Sequence, residues 1–209
     1  NVTYIDGKKV LAFDTGPGNM LIDYAARHFS KGKETIDHHG NWASQGVVHR
    51  GLVDKWMKHP FIKKRPPKST GREDFGHHFF QELLLDGKKR KLSAADFMAT
   101  ITWFTAESIT DAYARFLPRM PHRVVLCGGG AANSTLKAMI TSCLREHQWR
   151  QAGYNLKGPP IEVLKSDDLG MPFQAVEAAA FAYLAYLSMN RKSGNIPKTT
   201  GARRAAVLG

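Results

Sequence analysis

Two β-branched runs and a glycine turn at the start of the chain set the tightest limit on its fold. Residues 2–5 and 10–13 are apolar runs separated by Asp6-Gly7. Asp-Gly between such runs is a strong hairpin signal, because Gly takes φ > 0 without steric cost. The second run ends at Asp14 and passes into Thr15-Gly16-Pro17-Gly18-Asn19. Met20, Leu21, Tyr24, Ala25 and Phe29 then recur at helical spacing, with Asn19 placed to cap the helix. A strand, a rigid turn and a helix N-terminus in direct succession imply an α/β arrangement. They also gather free backbone N–H groups at one spot, and the helix dipole makes that spot attractive to phosphate. Asp14 cannot itself bind phosphate, since like charges repel. It can accept a proton from an attacking hydroxyl or water while a phosphoryl group is held nearby. The alternative is an Asp that only braces its own turn.

Further along, residues 47–57 read as a short helix. Residues 61–72, with Pro66, Pro67 and Gly71, read as mostly loop, and 75–85 as a helix. Residues 86–93 read as a basic surface loop. Ser93 caps a long helix with Asp96 three residues on, and Phe97, Ile101, Phe104, Ser108, Ala112 and Phe116 mark its core face. Residues 124–127 form a short buried strand that runs into Gly128-Gly129-Gly130. A helix with Leu136, Met139, Ile140 and Leu144 follows, then a strand at 161–164 and an Ala-rich amphipathic helix at 174–190. Strands alternating with helices after a hairpin predict a mixed sheet with flanking helices.

The chain has 209 residues, 43% of them hydrophobic, and no 18-residue apolar run, so no membrane span is expected. It opens at Asn1 without a Met, almost inside a strand, which reads as a piece of something longer. Its two cysteines, Cys127 and Cys143, make neither a disulfide framework nor a zinc site, and point to a reducing, cytoplasmic setting. The net charge of +12 favours anionic partners. Residues 55–91 hold eleven Lys/Arg against four acids, with Phe61, Phe75, Phe79 and Phe80 interleaved. That is either a solvated basic face or a nucleic-acid groove with stacking aromatics.

Three further stretches could carry chemistry. Gly128, Gly129 and Gly130, before Asn133 and a helix, let a backbone approach a nucleotide without Cβ obstruction, or simply pack a strand against a helix. Glu177 is a lone carboxylate in Ala-Val-Glu-Ala-Ala-Ala, either exposed or facing a cleft. Lys68, Arg72 and Glu73 lie in a Pro/Gly loop suited to clamping a ligand or to ordinary ion pairs. The pairs His38-His39 and His77-His78 lack a third ligand at metal-site spacing, so no metal site is expected in the side chains.

The stretches FDTGPGNMLID, PPKSTGREDF, CGGGAAN, VEAAAFAYLA and TGARRAAVLG resemble those of the anhydro-N-acetylmuramic acid kinases, in the same order and across essentially the whole chain. The resemblance implies the ribonuclease H-like, actin-like ATPase fold of the sugar kinase/Hsp70/actin superfamily, in which two similar domains flank a cleft. It makes residues 1–209 a C-terminal ATPase-like kinase domain, with 30–92 a helical and loop insertion and the N-terminal domain absent. It implies ATP and Mg²⁺, an anhydro-sugar substrate, a cytoplasmic role in peptidoglycan recycling, and a homodimer. By residue, it makes Asp14 the catalytic base, Glu177 a sugar contact, Gly16 and Gly18 the turn near the γ-phosphate, and Gly128, Gly129, Gly130 and Asn133 the nucleotide-side loop. The chain departs from the family in four places, one of them an insertion at 148–160. The first phosphate loop, of the type G-T-S-x-D-G-x-D, does not occur. Ile36-Asp37-His38-His39-Gly40 stands where members often read Tyr-Asp-Lys-Asp-Gly. Phe173-Gln174-Ala175-Val176 lacks the Asp that often precedes the helix Glu. The alternative reading is a non-catalytic remnant serving as a basic, anion- or nucleic-acid-binding module.

Overall fold

The computed structural model describes residues 1–151 and 159–208. Strands β1 (Val2–Asp6) and β2 (Lys9–Phe13) pair antiparallel, with Val2 opposite Phe13 and Asp6 opposite Lys9, and Gly7 turns the hairpin at φ +58. After the glycine turn, α1 (Met20–Phe29) buries Leu21, Ile22, Ala25 and Ala26. Four helices follow: α2 (Arg50–Trp56), α3 (Pro60–Lys63), α4 (Arg72–Phe75) and α5 (His77–Lys89).

Helix α6 (Ala94–Phe116) is the centre of the molecule. Ser93 Oγ accepts the Asp96 N–H at 3.1 Å, so the expected cap is formed. The helix was expected to bury one face. Instead, every residue from Phe97 to Ala106 is buried, so neighbours cover it on all sides. Three of its buried hydroxyls are satisfied within the helix, Thr105 donates outside it to Gly18, and Thr102 Oγ1 finds no partner among the described residues. Thr100 donates to the Asp96 carbonyl at 2.6 Å, Ser108 to Thr105 at 2.8 Å and Thr110 to Ala106 at 3.1 Å. Helices α1, α2 and α7 (Ser134–Gln151) pack on α6, as does the turn Ala43–Gln45.

Strand β3 (Arg123–Leu126) leads to a single turn of 3₁₀ helix, Gly129–Ala132, and then to α7. Strand β4 (Glu162–Lys165) pairs parallel with β3, Arg123 opposite Glu162, and α8 (Val176–Met189) and α9 (Pro197–Thr200) close the chain. None of the helices among the described residues is long and apolar enough to cross a membrane.

Four expectations are corrected. Among the described residues the strands do not form one mixed sheet: β1 pairs only with β2 and β3 only with β4, giving two separate two-stranded sheets. Strand β3 is only partly buried, with Val125 40% exposed. The basic segment at 86–93 begins as helix, because α5 runs to Lys89. Asp86 is buried there, accepting Lys55 Nζ at 2.6 Å and Trp56 Nε1 at 3.0 Å. Burial pushes the Asp86 carboxyl up, but those hydrogen bonds outweigh it and hold it below its usual range. Finally, α8 is not amphipathic: it buries no residue, and Phe181 is 71% exposed. In the stretch read as an insertion, 148–151 continue α7, and 152–158 lie outside the described residues.

Phe104 is fully buried on α6, with its ring edge-on to Trp56 at 6.0 Å. Phe104→Ala is expected to lower the unfolding free energy by about 3–5 kcal/mol, read in urea as a lower midpoint at unchanged slope. A loss near zero would show that α6 does not organise the core.

Candidate active site

Strand β2 sends Phe13 into the core and leaves Asp14 half-buried at its end. The loop at 64–71 holds both the backbone and the carboxylate of Asp14. The Asp14 N–H donates to the Lys68 carbonyl at 3.1 Å, so the loop lies alongside the end of β2. Asp14 Oδ2 accepts both Ser69 Oγ and the Thr70 N–H, each at 2.9 Å. Oδ1 has no hydrogen bond from the described residues. One oxygen is therefore pinned and the other left available. Thr70 Oγ1 donates in turn to Asp74 at 2.7 Å, which ties the loop to α4.

Lys68 holds this loop from beneath. It is buried, donates to the Phe61 and Ile62 carbonyls at 3.2 and 3.3 Å, and lies over the rings of Phe61 and Phe116 at 4.6 and 4.8 Å. Desolvation lowers its pKa to about 8; Arg115 pushes the same way, while Asp111 and Asp14 oppose them. Its ammonium is thus committed to the loop's own support. Arg72 and Glu73 are exposed on α4.

The glycine turn rests on α6. A Cβ on Gly16 would stand 2.6 Å from Ser108 Oγ, and Thr105 Oγ1 donates to the Gly18 carbonyl at 3.2 Å. Gly18 has φ +57, a conformation that favours glycine. Asn19 was expected to cap α1, but its side chain makes no cap hydrogen bond. It lies against Gly130 instead, where a Cβ would come within 3.0 Å of Asn19 Oδ1. This contact sets the two glycine turns side by side.

In the second turn, Gly128 has φ +74 and donates its N–H to the Phe173 carbonyl at 3.2 Å. A Cβ at Gly129 would meet nothing within 4 Å, so its backbone is open to approach. Asn133 is buried, and its Oδ1 accepts the Leu136 N–H at 2.9 Å, capping α7. The segment that departs from the family pattern lies across this cap. Ser134 Oγ donates to the His39 carbonyl at 2.8 Å and Thr135 Oγ1 to that of Gly40 at 2.9 Å. Buried Asp37 accepts the N–H groups of Trp42 and Ala43 at 3.0 and 3.1 Å. Glu177 is exposed in the first turn of α8 and makes no hydrogen bond or ion pair with the described residues. The Gly128–Phe173 bond is what ties the segment before it to the glycine turn.

Asp14, Gly16, Gly18 and the Gly128–Gly130 loop are therefore assembled together through Asn19, and Glu177 makes no hydrogen bond or ion pair with them among the described residues. Ser69, Thr70, Asn19 and Phe173 escaped the sequence reading of the site. Ser69 and Thr70 meet Asp14 across more than fifty positions, and no local pattern reports such a contact. His38 pairs with Glu34 at 3.4 Å and His78 with Glu82 at 3.2 Å, each four positions away in the chain. No group of three His, Cys, Asp or Glu side chains gathers among the described residues. The basic stretch does not present a stacking surface. Phe61, Phe75 and Phe80 are buried in the core, Lys68 is buried, and Lys55 is paired with Asp86.

Strands, flanking helices and two apposed glycine turns beside a pinned carboxylate define an α/β protein. A sequence model described as anhydro-N-acetylmuramic acid kinase matches residues 1–209, and the chain belongs to that family. A protein from Cyanothece sp. (strain PCC 7425 / ATCC 29141) carrying the same name is 42% identical over the whole of this chain and 53% of its own length. Similar proteins of that name occur in Picosynechococcus sp. (strain ATCC 27264 / PCC 7002 / PR-6), at 42% identity, and Acaryochloris marina (strain MBIC 11017), at 43%. The chain spans about half the length of these relatives.

The Lys68 environment gives a pH signature. Its folded pKa of about 8 lies below its ordinary 10.5. Below pH 8 both states hold the proton and the full cost of burying the charge is present. Between pH 8 and 10.5 the unfolded chain holds more protons, so stability rises. Relative to Lys68→Met, the native chain should gain on the order of 1–3 kcal/mol over that window in chemical denaturation. Parallel pH curves for the two proteins would refute the assignment.

Proposed function

We propose that this chain is the C-terminal half of an ATP-dependent kinase that opens the 1,6-anhydro bridge of anhydro-N-acetylmuramic acid and phosphorylates the freed O6. The product is N-acetylmuramic acid 6-phosphate, and the setting is peptidoglycan recycling in the cytoplasm. The observation that carries the proposal is Asp14: one oxygen held by Ser69 and Thr70, the other free, at the mouth of a glycine turn.

In this reading Asp14 Oδ1 takes a proton from water as the water oxygen bonds to the anomeric carbon. The C1–O6 bond breaks and its electron pair stays on O6. That oxygen attacks the γ-phosphorus, and the β–γ bridging oxygen leaves with ADP. Holding Oδ2 with two donors fixes the carboxylate's orientation, and positioning supplies much of the rate in such reactions. The N–H groups of Gly18 and Asn19 have no acceptor among the described residues, which suits them to the transferring phosphoryl group. The open backbone at Gly129 fits close approach of the nucleotide, with Gly128 and Gly130 shaping the loop and Asn133 holding it on α7. Glu177, exposed and unpaired, is free to reach the sugar hydroxyls. Mg²⁺ in phosphoryl-transfer sites is held largely by phosphate and water with one or two carboxylates, so it needs no three-ligand protein cage. It would neutralise charge on the phosphates.

The 209-residue chain alone is expected to show no turnover with ATP, Mg²⁺ and the anhydro-sugar, because the opposite wall of the cleft supplies half of the positioning. In the complete protein, Asp14→Asn keeps an oxygen to accept from Ser69 and Thr70 but loses the base. Phosphorylation should fall by about 10²–10⁴-fold with little change in melting temperature. Near-normal turnover of that variant would remove Asp14 as the base.

A further inference from the structure

Where α3, β2 and the end of α6 meet lies a cavity of about 560 Å³. It is lined by Leu11, by Lys63 at the end of α3, by Arg65 and Pro66 of the loop that follows, and by Arg115 and Phe116 at the end of α6. Three of these six side chains are cationic and none is acidic. Lys63 and Arg65 are exposed, and their side chains make no hydrogen bond or ion pair among the described residues. Arg115 is held by Asp111 at 3.2 Å and lies against the Phe116 ring, 5.2 Å from its guanidinium. One carboxylate thus serves a group of three cations. Two further cations, Lys64 and Lys68, stand close by. Burial is the main cause of the low Lys68 pKa, and Arg115 and Lys64 push it the same way. Like charges gathered against an apolar wall repel one another and raise a positive potential, which a bound anion relieves.

We propose that this cavity binds a phosphate monoester with an apolar body. The phosphate would lie between Lys63, Arg65 and Arg115, since guanidinium forks and an ammonium are donors matched to phosphate oxygens. The body would cover Leu11, Pro66 and Phe116, a floor that inorganic phosphate leaves in contact with water. An acidic peptide spreads its charge along a chain, whereas these three cations line one cavity. Neither Asp14 nor a residue of either glycine turn lines it, so its ligand is an effector and not a reactant. The path to Asp14 is short. Arg65 and Pro66 open the loop whose Ser69 and Thr70 hold the carboxylate, and the Phe116 ring packs edge-on to Phe13 at 5.9 Å. The proposal goes beyond the kinase reading and does not depend on it.

The test is a calorimetric titration of the 209-residue chain with phenyl phosphate, inorganic phosphate and phenol, near neutral pH and at about 0.15 M salt. Phenyl phosphate should bind at least about tenfold more tightly than inorganic phosphate, because its ring covers the floor, and phenol should not bind. Lys63→Gln with Arg65→Gln should weaken phenyl phosphate by about tenfold or more, since charge-assisted hydrogen bonds are lost. Lys88→Gln with Lys89→Gln removes the same charge from the exposed end of α5 and should change little. A second measurement locates the ligand. The Lys68 side chain, followed by NMR, should titrate above its pKa of about 8 when phenyl phosphate is bound, because an anion beside Arg115 favours the ammonium. Binding that survives Lys63→Gln with Arg65→Gln, or that leaves the Lys68 titration where it was, puts the anion elsewhere, as at the glycine turns, and overturns the proposal. Absence of binding overturns it, as does equal affinity for inorganic phosphate. Tighter binding of a short poly-glutamate peptide, lost in the same double variant, makes the occupant an acidic chain and overturns it too.

Discussion

Burial of α6 on every side is the constraint on which the rest of the chain depends. A helix buried all round cannot choose a face, so each neighbour must bring its own apolar stripe to it. Helix α1 brings Leu21 and Ile22, α2 brings Leu52 and Trp56, and α7 brings Leu136, Ile140 and Leu144. The two glycine turns inherit their positions from this packing. The first rests on Ser108 and Thr105 of α6, and the second precedes α7, which lies along the same helix. Their apposition through Asn19 and Gly130 follows from helix packing, without any direct covalent or ionic link between the loops.

Asp14 depends on the same frame at one remove. Its carboxylate is oriented by Ser69 and Thr70, whose loop is anchored by Lys68 on the carbonyls of α3. Burying an ammonium there is costly, which is why its pKa falls. Two carbonyls and aromatic rings offset part of that cost. A cation used in this way is lost to ligand binding, but it converts a Pro-rich connection into a rigid support for a reactive group.

What was legible in the sequence was local. Asp6-Gly7 between β-branched runs specified the hairpin, and Ser93 with Asp96 specified the start of α6, because both signals act within a few residues. The glycine turns were legible as turns for the same reason. Pairings across long separations were not. Asp86 read as part of a basic loop because its partners, Lys55 and Trp56, lie thirty positions away. Asn19 read as a cap because nothing nearby announces Gly130. The phenylalanines among the lysines read equally well as a stacking surface or a core, and only packing decides between them. Short apolar strands also do not say which of them pair, so one continuous sheet was expected where two exist.

Helix α8 shows the same limit from the other side. Its sequence is apolar and Ala-rich, which by composition belongs in a core, yet Phe181, Tyr183, Tyr186 and Met189 are all more than half exposed. Near it in sequence, the Gly128–Phe173 bond fixes the approach to the helix but buries none of its faces. A domain that leaves a largely apolar helix and two strand edges bare among the described residues carries surface that ordinarily drives association. The part of the molecule with the least internal support is thus the part bordering the candidate site. Whatever covers that surface also borders the candidate site, since β3 leads into Gly128 and α8 carries Glu177.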